Sequence, residues 1–137
     1  MEKLKIILVD DNLKFRESIK DLLIHVFKHY VIAEADNGEE FLNLSKTLLP
    51  DVILMDLSMP QVDGFEATKK YFWDFPKSRI IAVTNHVEKA YLLKLIEVGF
   101  KGCIFKYNIF DEVQPAIEAV MTGELWFPGE FNIDIKS

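Results

Sequence analysis

The sequence predicts an α/β domain in which a five-stranded parallel sheet is doubly wound, with helices on both faces. Three observations predict it. Five short apolar runs, LKIILV (4–9), YVIAEA (30–35), DVILM (51–55), RIIAV (79–83) and GCIF (102–105), alternate with longer segments of helical period, the order expected of strands joined by crossover helices. Most of these runs are nearly unbroken in apolar side chains, as strands buried on both faces are. Finally, 137 residues, half of them apolar, suit one such domain and leave no room for a second. A chain of that length buries about two thirds of its unfolded surface.

Each connecting segment carries its own helix signals. After the first strand, Phe15, Ile19, Leu22, Leu23 and Val26 recur at helical spacing with Asn12 as the cap, which gives a first helix of about four turns. A second helix follows Asn37-Gly38, with Phe41, Leu44 and Leu48 inward and Pro50 closing the connection. A third begins near Phe65, turns Phe65, Thr68 and Phe72 toward the core and stops before Pro76. The fourth spans 87–98 and ends at Gly99, a left-handed cap. The fifth runs from 111 to 121 and ends at Gly123, with Pro115 in about its first turn, where a missing amide is tolerated. That leaves 1–123 as the folded unit. Residues 124–137, with Trp126, Phe127 and Pro128 but no clear period, read as a C-terminal tail or the start of a linker to an output domain absent from this chain.

Composition narrows the function classes. A formal charge of −6 with scattered Lys and Arg argues against nucleic-acid binding by this segment, because phosphate contacts need clustered cations. Cys103 is the only cysteine, so no intrachain disulfide forms, a reducing compartment is the simpler reading, and the residue reads as a small buried side chain. No secretory leader is recognisable and no apolar run approaches the length of a membrane span. These features predict a soluble, cytoplasmic protein with no membrane partner. His25 and His29 are expected on the surface of the first helix.

Chemistry is concentrated at the ends of the apolar runs. LKIILV leads into Asp10-Asp11 and DVILM into Asp56. In a parallel sheet the C-terminal strand ends share one edge, outside which ligands bind, so the three carboxylates are predicted to meet. Unit charges about 4 Å apart repel by about 4 kcal/mol at an effective dielectric near 20. A divalent cation offsets that cost, and oxygen-only ligands favour magnesium, manganese or calcium over zinc. Two further ends, Thr84 after RIIAV and Lys106 after GCIF, add a hydroxyl and an ammonium. Ions drawn out of water cost several kcal/mol each, which makes this set a poor structural device. It suits a doubly charged oxyanion: with one carboxylate accepting a phosphoryl group, the cation, Lys106 and Thr84 would hold its oxygens.

With these residues in order at five strand ends, the chain resembles the response-regulator receiver domain of bacterial two-component signalling. The motifs are Asp10-Asp11, DLSMPQVDG from Asp56 to Gly64, AVT ending in Thr84, and FK ending in Lys106. The resemblance covers residues 3 to 123 and implies a flavodoxin-like strand order, 2-1-3-4-5. It implies that Asp56 is the phosphoacceptor for a sensor histidine kinase or phosphotransfer protein. Asp11 and Asp56 would bind Mg2+ (or Mn2+) directly, with the backbone carbonyl of Ser58, and Asp10 would act through a coordinated water. Thr84 and Lys106 would bind phosphoryl oxygens, and Pro60 and Gly64 would shape the loop after the acceptor. The family biases the face built from the fourth helix, fifth strand and fifth helix, and a phosphorylation-dependent homodimer is one form of that response. Such a domain assists its own phosphotransfer and dephosphorylation and is otherwise not an enzyme. The ending AIEAVMTGELWFPGE resembles receivers of LuxR/NarL-type helix-turn-helix regulators, so DNA would be bound only through a domain outside this segment, with transcription as the output. A stand-alone receiver with a protein partner is the alternative.

The pattern also departs from the family. Cys103 stands three residues before the lysine, where receivers carry a Tyr or Phe. Phe105 and Tyr107 lie near but offset. Tyr107 replaces the usual proline after the lysine, so a trans bond is expected there. Ser58 and His86 occupy the positions that set phosphoryl lifetime, and neither looks like an obstruction to water, whereas Asn85 narrows access. A phosphohydrolase with an aspartyl-phosphate intermediate would carry a second Asp where Ser58 stands. A flavodoxin-like cofactor binder would not place Asp10-Asp11 against a phosphate that needs a Ser-, Thr- or Gly-rich loop.

Overall fold

Five strands, β1 (Lys5–Val9), β2 (Tyr30–Ala35), β3 (Val52–Asp56), β4 (Ile80–Thr84) and β5 (Gly102–Phe105), form one parallel sheet in the order β2-β1-β3-β4-β5. The structure is a computed structural model that describes residues 2–44, 46–57, 64–85 and 88–129. β3, β4 and β5 are buried along their whole length, which is why their sequences show no alternation. Helices α1 (Leu13–Asp21), α2 (Gly38–Leu42), α3 (Gly64–Asp74), α4 (Lys89–Val98) and α5 (Ile109–Met121) connect and cover the strands. On one face Ile6, Leu54, Ile81 and Ile104 pack with Ile19 of α1 and Val113 and Ile117 of α5. On the other, Ile7, Ile53 and Cys103 pack with Phe41, Ala67, Leu92 and Leu95 of α2, α3 and α4. Among the described residues no helix is long and apolar enough to cross a membrane.

The caps follow the sequence signals. Asn12 Oδ1 accepts from the Phe15 amide at 3.0 Å and Asn37 Oδ1 from the Glu40 amide at 2.8 Å, so each supplies one acceptor to a helix start. Gly99 closes α4 at φ 119, in the left-handed region expected of it. Among the described residues all peptide bonds are trans, that before Tyr107 included.

Four expectations are corrected. The first helix continues α1 with a π-helical turn over Leu22–Val26, in which the Phe27 amide bonds to Leu22 O. The wider turn rotates Val26 outward to 61% exposure instead of placing it on the core stripe. The second helix stops at Leu42, short of Leu44 and Leu48, which still pack against the core as irregular chain. Leu49 precedes Pro50, whose ring disfavours the helical region for its predecessor, and it adopts φ 50. α5 starts at Ile109 behind a 3-10 turn over Lys106–Asn108, so Pro115 sits well inside the helix and not in its first turn. Both Pro115 and Asp111, whose carbonyl loses its helical donor, lie on the exposed face. His29 is buried at 3% exposure, not on the surface: Nδ1 accepts from the Leu4 amide at 3.2 Å, which leaves Nε2–H to donate to Gln114 Oε1 at 2.9 Å.

The segment after α5 lies along the outer edge of β5. Cys103 N donates to Trp126 O at 2.7 Å, and Trp126 N to Lys101 O at 3.0 Å. Trp126 Nε1 donates to Glu112 Oε1 of α5 at 3.0 Å, and Phe127 packs on the cluster that contains Cys103. An edge strand presents unpaired backbone groups, and covering it satisfies them.

Thr68 faces the core as its spacing predicts, but its fully buried Oγ1 has no hydrogen-bond partner among the described residues. An unsatisfied buried hydroxyl costs about 1–3 kcal/mol. Thr68→Val is therefore expected to raise the urea midpoint by the equivalent of about 1 kcal/mol with an unchanged m-value, measured by equilibrium unfolding. A lower midpoint would show that the hydroxyl contributes to stability.

Candidate functional site

The C-terminal ends of β1 and β3 bring the acidic residues together as their placement predicts. Asp56 is the last residue of β3, and Asp10-Asp11 follow β1, the two strands being neighbours in parallel register. Oxygen atoms of Asp10, Asp11 and Asp56 all lie within 4.8 Å of one another. Asp56 and Asp10 are buried at 1% and 5% exposure, whereas Asp11 is exposed at the mouth. Lys106, the first residue after β5, places Nζ 3.2 Å from Asp10 Oδ2 and 3.5 Å from Asp56 Oδ2. Its Nζ also sits 4.7 Å from the Phe15 ring centre, so aromatic and carboxylates together fix the ammonium. Thr84 ends β4, buried at 3% exposure, and lies one residue beyond Val83, the register partner of Asp56. Ser58, Pro60 and His86 fall outside the described residues.

Local backbone contacts fix these positions. The Asp10 amide donates to Ala35 O at 3.1 Å, its Oδ1 accepts from the Asn12 amide at 2.8 Å, and its carbonyl accepts from Arg16 Nη1. Behind Asp56, the start of α3 presses on the strand. A Cβ on Gly64 would lie 2.1 Å from Asp56 O, so only glycine allows that approach.

The donor set defines what the site can hold. Three carboxylates and one ammonium leave a charge near −2 in a pocket where two of the acids are buried. All acidic donors are oxygen, one of them open to solvent, which fits a hard divalent cation that keeps waters. With such a cation bound, the edge becomes a receptacle for an oxyanion flanked by Lys106 and Thr84.

Arg16 is the member that pattern reading missed. Its guanidinium also bonds Asp36 Oδ1 and, through Nε at 2.9 Å, Glu34 Oε1. Glu34 O ε2 takes Lys20 Nζ at 2.8 Å. Burial pushes the Glu34 carboxyl up, but bonds from Lys20 and Arg16 outweigh it and hold the group below its ordinary value. The signal was present in YVIAEA: a lone Glu in an apolar strand needs a cationic partner.

Fold and site together define a signalling module that handles an oxyanion at the edge of a parallel sheet. The chain belongs to the response regulator receiver domain family, whose model matches residues 6–118, and it is the receiver domain of a two-component response regulator. The transcriptional regulatory protein DegU of Brevibacillus brevis is 31% identical over 121 residues, which cover 88% of this chain and 51% of the relative. The response regulator GacA of Pseudomonas syringae pv. syringae (strain B728a) is 35% identical over 121 residues, covering 88% and 56%. The chain thus spans about half the length of these curated relatives. Among solved structures, a LuxR-family two-component response regulator from Aurantimonas sp. SI85-9A1 superposes with TM-score 0.88 at 31% identity, over 96% of this chain and 94% of that one. The isolated receiver domain of RcsB from Salmonella enterica serovar Typhimurium, in the presence of the phosphomimetic BeF3-, gives TM-score 0.84 over 96% and 97%. At 23% identity it bears on the fold alone.

Cys103 occupies the position where an aromatic was expected and is fully buried. Phe105 is buried on the same face, while Tyr107 is 71% exposed with its ring stacked on Phe105 at 5.5 Å. Burial, aided by Glu112, pushes the Cys103 thiol up to about 12. An unfolded thiol ionises near 8.5. Between about pH 8.5 and 12 the unfolded chain therefore releases a proton that the folded chain keeps, and stability falls as pH rises. Below that window the contribution is fully present. Relative to Cys103→Ala, the wild type should lose more stability from pH 8 to pH 10, measured by urea unfolding. The native thiol should also resist an aromatic disulfide reagent at pH 8 until the chain unfolds.

Proposed function

We propose that this receiver accepts a phosphoryl group on Asp56 and so switches a transcriptional output. The observation that carries the reading is the convergence of Asp10, Asp11 and Asp56 within 4.8 Å, with Lys106 Nζ close to both buried carboxylates. Asp56, fixed at the end of β3, is the nucleophile. One of its oxygens attacks the phosphorus of a phosphohistidine, on a sensor histidine kinase or a phosphotransfer protein, or of a small phosphodonor. The new bond is an acyl phosphate P–O bond. The P–N bond of the phosphohistidine breaks in line with the attack, and the imidazole leaves with its electron pair.

Asp10, Asp11, Asp56 and the Ser58 carbonyl would hold Mg2+, with Mn2+ as a substitute, and the ion would supply charge neutralisation on the phosphoryl oxygens. Lys106 binds one phosphoryl oxygen and Thr84 another, so the residues position the group and offset its charge. Hydrolysis of the acyl phosphate by the same site resets the domain, and no other substrate is turned over.

The output follows from what lies beyond this segment. A longer relative, 51% of which is covered by the match, is named a transcriptional regulatory protein, and the tail from Glu124 would lead toward such a partner domain, which would bind DNA. Thr84, drawn toward a new double charge, perturbs β4 and the adjoining β5–α5 face, where a phosphorylation-dependent homodimer would form. The setting for this exchange is the cytoplasm.

Incubation with acetyl phosphate and Mg2+ should add the mass of one phosphoryl group to the intact protein. Asp56→Asn should abolish that gain while keeping the wild-type circular dichroism spectrum. A folded wild-type protein that gains no Asp56-dependent mass, with acetyl phosphate and with a phosphorylated donor protein alike, overturns the reading.

A further inference from the structure

We infer that Arg16 is a positioning residue for the cation site, setting the Asp10–Asp11 peptide from which two of its carboxylates project. The inference rests on the reading of the acidic cluster as a divalent-cation site. Arg16 lies on α1, one turn past the Asn12 cap, and its amide bonds to Asn12 O at 2.9 Å. Its side chain is only 10% exposed, yet its hydrogen bonds run to the Asp10 carbonyl, Glu34 and Asp36 rather than to the three carboxylates. Instead it grips the peptide that joins two of them, donating from Nη1 to Asp10 O.

Besides this bond, the turn in which Asp10 Oδ1 accepts from the Asn12 amide at 2.8 Å spans that peptide, but it does not hold the carbonyl itself. The Asp10 amide is tied to Ala35 O of β2, which fixes the chain entering Asp10. The carbonyl on the other side belongs to the plane that leads into Asp11, and rotating that plane swings the Asp11 side chain across the mouth of the site. Arg16 stops the rotation because it is itself anchored. Nη1 also meets Asp36 Oδ1, and Nε meets Glu34 Oε1 at 2.9 Å. A planar guanidinium with fixed donor directions can serve three acceptors at once; an ammonium on a flexible stem cannot do so in the same geometry. The positive charge also stands behind a cluster in which three carboxylates face a single lysine, easing their approach before any cation arrives.

Partners that orient ligands from behind a metal centre alter affinity by about 10–100-fold when removed. Isothermal titration of Mg2+ into the intact chain tests this. Arg16→Gln should weaken Mg2+ affinity about 10-fold, while the phosphorylation rate with acetyl phosphate at saturating Mg2+ stays within about twofold of wild type. Arg16→Lys should recover only part of the loss. Lys20→Gln removes the other partner of Glu34 without touching the Asp10 carbonyl, and should leave Mg2+ affinity unchanged. Should Arg16→Gln fail to fold, Asp36→Asn, which frees one anchor of the guanidinium, should weaken Mg2+ in the same direction. Wild-type affinity in a folded Arg16→Gln chain, or in Asp36→Asn where that variant stands in, overturns the inference. A wild-type chain that binds no Mg2+ overturns instead the reading of the cluster on which it rests.

Discussion

The rest of the structure depends on one repulsion, that among Asp10, Asp11 and Asp56. At separations of no more than 4.8 Å each pair of these charges repels by at least about 3 kcal/mol at an effective dielectric of 20. Burial of Asp10 and Asp56 adds a desolvation cost on top. Such an arrangement persists only if the backbone leaves the side chains nowhere else to go. A parallel sheet does this well: β1 and β3 are adjacent, deeply buried and end at the same level, so the carboxylates are delivered by the core and not by mobile loops. Lys106, at 3.2 and 3.5 Å from two of them, offsets part of the repulsion and leaves a deficit of about two positive charges. A hard divalent cation fits that deficit, and on the proposed chemistry an incoming oxyanion would then meet Lys106 and Thr84 rather than bare carboxylate.

How much of this was legible in the sequence depended on the range of the interaction involved. Strand identity and order of burial were readable because an apolar run such as VILM or IIAV admits few other fates, and the strand ends then named Asp56, Thr84 and Lys106. The Asn12 cap was readable because capping is local, with its partner three residues away. What failed depended on geometry that no local pattern records. The π turn that exposes Val26 arises where the helix must hand the chain back to β2 through Lys28 at φ 64. His29 looked like a surface side chain until the return of β2 against Leu4 and the packing of α5 brought Gln114 to its ring. The clamp formed by Arg16 spans α1 and β2, and its acceptors at Asp10, Glu34 and Asp36 come together only once the sheet is closed.

Rigidity is distributed unevenly across the sheet edge. Asp10 is tied through its amide, its carbonyl and its carboxylate, and Asp56 is backed by the Gly64 contact and by Leu57 N bonding to Val83 O at 3.1 Å. β5, in contrast, is a four-residue edge strand whose outer neighbour is the tail around Trp126. Two backbone bonds at Lys101 and Cys103 hold that tail, with the indole bond to Glu112 as its link to α5. Displacement of the β4 end therefore meets most resistance toward β3 and least toward β5.

This asymmetry bears on the small side chain at Cys103. An aromatic ring at that position would carry movement as a side chain swinging between two packed sites. A thiol kept neutral by burial has no such bulk and no charge to move. The amide of the same residue, however, bonds to Trp126 O at 2.7 Å, and Phe127 packs on the cluster in which Cys103 lies. On the proposed chemistry, motion of β5 would reach the segment after α5 through these main-chain bonds, without a ring as intermediary. Under the proposed chemistry, the position where receivers carry an aromatic becomes the point at which the sheet and the segment after α5 are joined.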